Sequence, residues 1–109
     1  MVAMNEIERF GKRIGEKFGT EKVILFGSYA QGTAEQDSDV DLLIVAPFEG
    51  RSVDKSVQIR LKLRPMFPVD LLVRTAEKIR QRLEMGDPFI KDILLEGKVL
   101  YDADNRCMD

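Results

Sequence analysis

The chain has 109 residues, 44% hydrophobic and 33% charged, with a formal net charge of -2, one cysteine and no histidine. One domain over residues 1–103 with a polar, flexible tail at 104–109 is expected from that length, and the charge balance argues against a uniformly basic grip on nucleic acid. Histidine triads, histidine-bound zinc and imidazole bases are excluded. Cys107 has no internal disulfide partner, Met1 leads into no secretory signal, and no apolar run nears the roughly 18 residues of a membrane span, so a cytoplasmic protein is expected.

The first predicted helix covers residues 5–18, capped by Asn5, with Ile7, Phe10, Ile14 and Phe18 as one apolar stripe. Gly11 and Gly15 each cost such a helix about 1 kcal/mol relative to alanine, which marks either close packing or plain tolerance. Gly19-Thr20 ends the helix. Val23-Ile24-Leu25-Phe26 has the length and β-branched content of a buried strand, and it empties into Gly27-Ser28. Tyr29 to Gly32 reads as a short helix start with Tyr29 assigned to packing. Thr33 to Asp37 reads as a polar loop in which Glu35 and Asp37 are solvated.

Asp39-Val40-Asp41 opens a second strand through Leu42-Leu43-Ile44-Val45, closed by Pro47 and Gly50. Ser52 is then expected to cap a helix running to about Arg64 and stopped by Pro65, with Val53, Val57 and Leu61 as its buried stripe. Its outer side carries Arg51, Lys55, Arg60, Lys62 and Arg64, read as a solvated face in preference to a surface attracting phosphates or an acidic partner. Pro68 to Val73 is a third strand, apolar except for Asp70. Thr75 caps a helix to about Met85, with Ile79, Leu83 and Met85 inward and Arg74, Lys78, Arg80 and Arg82 outside. Asp87-Pro88 starts a last helix ending at Gly97, with Phe89, Ile90, Ile93 and Leu94 inward, and Lys98 to Tyr101 adds a strand. The result is an α/β (α+β) chain, a small mixed β-sheet with flanking helices.

The chemistry concentrates between the first two strands. A strand period of two puts Asp39 and Asp41 on one face with Val40 on the other. Two carboxylates at the mouth of a hydrophobic strand repel each other and lose hydration, which is costly unless a cation sits between them. Their hard oxygens suit Mg2+, which completes its shell with water and substrate phosphates, and so point to a nucleotide. Gly27-Ser28 agrees: glycine lets a phosphate approach the backbone, and Ser28 adds a hydroxyl donor at the start of a helical turn. Asp70 is poorly explained as core filling, and a third strand lying beside the second would bring it to the same acids.

The pattern Gly27-Ser28, ten intervening residues, Ser38, then Asp39-Val40-Asp41 and Leu42-Leu43-Ile44-Val45 resembles the minimal nucleotidyltransferases (MNT) of the DNA polymerase beta superfamily. The chain departs from many relatives at Gln31, where they carry an arginine. The resemblance implies the nucleotidyltransferase fold, Asp70 as the third catalytic and metal-binding aspartate with Asp39 and Asp41, two Mg2+ ions, and ATP as substrate. Gly27 and Ser28 would hold its phosphates. It further implies an antitoxin that attaches AMP to a tyrosine of a partner HEPN-domain toxin. Two rival expectations remain: a module that neutralises its partner by binding alone, and a nucleotidyltransferase acting on a small molecule or an RNA end.

Overall fold

The computed structural model describes residues 1–106, so the reading of Cys107 and of the end of the tail lies outside the described residues. The helices are α1 (Met4–Lys17), α2 (Ser28–Gln31), α3 (Ser52–Leu63), α4 (Ala76–Glu84), α5 (Pro88–Glu96) and α6 (Ala103–Arg106). The strands are β1 (Lys22–Phe26), β2 (Val40–Val45), β3 (Val69–Arg74) and β4 (Lys98–Asp102). They form one sheet in the order β3-β2-β1-β4, in which β2 and β3 run parallel and β1 is antiparallel to both its neighbours. A parallel pair needs a crossover, and α3 supplies it between β2 and β3. This is the mixed sheet with flanking helices expected from the alternation of elements.

Strand alternation sorts the core into two layers. Val23 and Leu25, then Val40, Leu42 and Ile44, then Val69, Leu71 and Val73 face α1 and α3, where Ile7, Phe10, Ile14, Ile59 and Leu63 complete a single cluster. On the opposite face Ile24, Leu43 and Val45 pack with Ile79 of α4 and with Ile90 and Ile93 of α5. The two α1 glycines are there for packing: a Cβ on Gly11 would stand 2.8 Å from Leu100 Cδ1, and one on Gly15 would run into the Tyr101 ring, so α1 lies close against β4. Tyr29 is buried, and its hydroxyl accepts from the Val2 amide at 3.1 Å.

Several side-chain expectations fail, each for a tertiary reason. Helix α1 starts after Ala3, with no capping by Asn5. Helix α3 starts after Arg51, and Ser52 caps nothing: its hydroxyl donates to the Val73 carbonyl at 2.6 Å. The stripe Val53, Val57 and Leu61 faces solvent at 50%, 48% and 70% exposure, while Ile59 and Leu63 are the residues α3 buries. Both stripes are helical in period, and only the position of the sheet selects between them. The same holds for Leu83, Met85 and Leu94, which are exposed because α4 and α5 bury Ile79, Ile90 and Ile93 against the sheet, while Phe89 is half-exposed with its ring edge-to-face on Phe26 of β1 at 5.7 Å. The caps at Thr75 and Asp87 are formed as expected, accepting from the amides of Lys78 at 3.1 Å and Phe89 at 2.9 Å.

Urea unfolding should separate the two α3 stripes. Ile59→Ala, in the core, is expected to cost about 2–5 kcal/mol, whereas exposed Leu61→Ala should stay within about 0.5 kcal/mol of the parent.

Candidate active site

β1 ends where β2 and β3 begin, because Phe26 faces Asp41 across the antiparallel pair and Asp41 faces Asp70 across the parallel one. Neighbouring strands are about 4.8 Å apart, so Asp41 and Asp70, paired in register and on the same face, stand side by side. That face belongs to α4 and α5, which cover Leu43, Val45 and Leu72 further along and leave the acid end open. Asp39 lies two residues before Asp41, just outside β2, and is exposed, as is Asp70. Asp41 is half-buried. Its pKa is raised above the ordinary 3.8, first by burial, then by the negative charge of Asp70, then by that of Asp39. The three carboxylates named from the sequence therefore sit within electrostatic reach of one another, and none of them is in an ion pair among the described residues.

Gly27 is tied to this cluster sterically. Its φ of 77° and ψ of −153° lie where L side chains are strained, and a Cβ there would run into the Asp41 carboxylate. The Gly27 carbonyl accepts from the amides of Ala30 at 3.1 Å and Gln31 at 3.2 Å. The amides of Ser28 and Tyr29 are thus the first-turn donors that a helix leaves without an internal acceptor. Gln31 donates from Nε2 to Glu96 Oε2 at 3.4 Å, which ties α2 to α5. Glu35 and Asp37 are exposed loop acids.

Two depressions flank the acids. One, of about 200 Å³, opens beside Gly27 and is walled by Phe26, Gln31, Phe89, Asp92 and Glu96. The other, a shallower groove of about 700 Å³, has Asp70 in its wall with Ser52, Arg74, Thr75, Lys78 and Arg82. The helical pattern from Thr75 places Arg74 on the outer surface. It is instead half-buried, donating from Nη1 to Ser52 Oγ at 2.7 Å and to the Val73 carbonyl at 2.8 Å. Its even spacing from Asp70 along β3 was the sequence signal that both share a face.

The donor set fits a divalent cation. Among the described residues no three acids close into a ready-made cage, but Mg2+ characteristically takes one or two carboxylates and fills its shell from water and substrate phosphates. Side-by-side acids, of which Asp41 is pushed toward protonation by burial and by the charges of Asp70 and Asp39, with none of them in an ion pair among the described residues, are the arrangement such an ion relieves.

The sign of the Asp41 shift has a measurable consequence in metal-free protein. An acid whose folded pKa is raised favours the fold below its unfolded value near 3.8 and loses that contribution as pH rises through the folded value. Asp41→Asn is therefore expected to raise the melting temperature at neutral pH, with the gain vanishing in acid. A destabilised Asp41→Asn protein at neutral pH would contradict the crowding of these charges.

The nucleotidyltransferase domain family matches residues 7–101. A Methanocaldococcus jannaschii protein provisionally named protein adenylyltransferase is 35% identical over 93% of this chain and 73% of its own length. A second protein of that organism, with the same provisional name, is 32% identical over 90% of this chain and all of its own. Among solved structures, one from Sulfolobus solfataricus provisionally described as a nucleotidyltransferase superposes with a TM-score of 0.62 at 19% identity, covering 92% of this chain and 80% of the other. A toxin-antitoxin crystallised with AMP-PNP gives 0.53 at 20%, covering 94% and 77%. A Gly27 at which a side chain would run into Asp41, next to crowded carboxylates, is thus found in a chain that belongs to the nucleotidyltransferase domain family and is itself a nucleotidyltransferase.

Proposed function

We propose that residues 1–103 act as one magnesium-dependent domain that moves AMP from ATP to a tyrosine hydroxyl of a partner HEPN-domain toxin, working in the cytoplasm as its antitoxin. The observation that carries this reading is the uncompensated carboxylate cluster of Asp39, Asp41 and Asp70, flanked on one side by the Gly27 depression and on the other by the Asp70 groove. A group-transfer enzyme brings two substrates to its reacting centre, and a depression beside Gly27 and another beside Asp70 support that reading. The adenylyltransferase names of relatives and the toxin-antitoxin neighbour with AMP-PNP support the donor and the class of acceptor. Among the described residues no helix is long and apolar enough to cross a membrane.

In this reading Gly27 admits the triphosphate to the backbone, and Ser28 donates its hydroxyl to the β and γ phosphates, holding the α phosphorus for in-line attack. Asp39, Asp41 and Asp70 would hold two Mg2+ ions, which when bound neutralise charge on the phosphates and lower the pKa of the attacking hydroxyl. Asp70, exposed to the groove, accepts the tyrosine proton. The tyrosine oxygen forms a bond to the α phosphorus as the bond to the β phosphate oxygen breaks. The products are the AMP ester and pyrophosphate.

Intact-mass measurement of the partner, incubated with this protein, ATP and Mg2+, is expected to show added AMP. The Asp39→Asn, Asp41→Asn double variant should fold and add none, a loss beyond about 100-fold as for other groups acting on transition-state charge. Tight binding without any mass increase would replace this reading with neutralisation by binding alone. Ser28→Ala should raise the KM for ATP with the KM for the acceptor unchanged, and an unaltered ATP response would remove Ser28 from the phosphate site.

A further inference from the structure

β3 is an edge strand, and the way its edge is treated points to how an acceptor is received. Pro68 and Arg74 turn their carbonyls inward to β2, accepting from Val40 at 3.0 Å and Ala46 at 3.1 Å. By alternation the carbonyls of Val69, Leu71 and Val73 point outward. The Val69 carbonyl is taken by Arg60 Nη2 at 2.7 Å, and that of Val73 by Ser52 Oγ at 2.6 Å and Arg74 Nη1 at 2.8 Å. Two of the outward carbonyls are therefore occupied by side chains of the chain itself, which blocks continuous strand addition from another protein.

What the edge offers instead is charge. The groove beside it starts at Asp70 and continues past Arg74 to Lys78 and Arg82, with hydroxyls of Ser52, Ser56 and Thr75 between them. Among the described residues Asp70 is the only acid in its wall. Arg74 is held by a hydroxyl and a carbonyl, both neutral, so it is fixed in place with its charge uncompensated. Lys78 is in no ion pair among the described residues, and Arg82 reaches Asp87 only at 4.0 Å. Lys78 and Arg82 are one helical turn apart and share a face of α4. On the far wall Val53 is half exposed, and Val57 continues the apolar surface along α3.

We infer that this groove is the acceptor-docking surface, and that its occupant is an acidic segment of the acceptor protein, lying next in sequence to the hydroxyl that reacts. The inference rests on the transfer reading above for the role of Asp70, and adds the chemistry of the partner. Arg74 is four residue steps along β3 from Asp70, about 13 Å at the rise of a strand. An extended segment with its reacting hydroxyl at Asp70 brings its fourth residue to Arg74 and later ones to Lys78 and Arg82. Carboxylates are selected from about the fourth position onward. Next to the hydroxyl they are disfavoured, because there they would meet Asp39, Asp41 and Asp70.

Fluorescent tyrosine peptides test this without requiring catalysis. One carries three glutamates beginning at the fourth residue from the tyrosine, a second carries glutamines there, and binding of each to the full chain is followed by anisotropy at low salt without ATP. The glutamate peptide is expected to bind about tenfold more tightly, the combined effect of a few exposed ion pairs, and to lose that advantage at high salt. Lys78→Glu with Arg82→Gln should abolish the preference. Thr75 caps α4, so a glutamate at position 78 completes a capping box and keeps the helix formed. Equal binding of the two peptides, or displacement of the glutamate peptide by a single-stranded oligonucleotide of equal charge at lower concentration, would overturn the inference. Adding ATP and Mg2+ then separates the two readings: equal labelling of both peptides keeps the transfer and removes the acidic docking, and selective binding with no label keeps the docking and removes the transfer.

Discussion

The like-charge pair formed by Asp41 and Asp70 across the parallel strands β2 and β3 is the constraint on which the rest of this molecule turns. A parallel ladder is the only way to bring the starts of two strands together when a long crossover separates them in sequence, and α3 is that crossover. Once the pairing is in register, Asp41 and Asp70 must stand side by side and Asp39 must stand nearby. The fold thus holds together charges that, left alone, would drive its strands apart, and the buried ladders of Val40, Leu42, Ile44, Val69, Leu71 and Val73 on the opposite face supply the attraction that outweighs them.

Placing the cluster at the end of the sheet rather than its middle reconciles this with stability. α4 and α5 cover the apolar part of that face through Ile79, Ile90 and Ile93 and stop short of the acids. Asp39 and Asp70 keep their water, and only Asp41 is partly deprived of it. A site in this position stays open from both sides: toward the Gly27 turn, where the backbone can be approached closely, and toward the β3 edge, where Arg60, Ser52 and Arg74 close off strand addition and leave a charged groove. The same side chains that protect a vulnerable edge therefore shape one wall of the site.

The outer helix surfaces divide in an equally physical way. Of the basic side chains on α3, exposed Arg60 donates to the Val69 carbonyl and half-buried Lys55 lies 5.4 Å from the centre of the Phe18 ring, so part of a largely solvated charged face also makes contacts within the chain. The apolar side chains Val53, Val57 and Leu61 point outward instead. Hydrophobic residues left in water on a small domain, next to a cationic groove, are consistent with a surface that meets another protein.

Much of this was written in the sequence, because it depends on local chemistry. Strand runs between turn formers, the Thr75 and Asp87 caps and the Gly27-Ser28 turn each follow from the residues within a few positions and are formed in the structure, while β2 starts at Val40 and leaves Asp39 one residue ahead of it. The choice between two helical stripes on α3, the outward turn of Leu83, Met85 and Leu94, and the partial burial of Arg74 were not legible. Each depends on where the sheet lies relative to a helix, a fact about residues far away in the chain. The same is true of Asp70: its acid character marked it out locally, but only the parallel register between β2 and β3, set by packing on both faces of the sheet, decided that it stands beside Asp41.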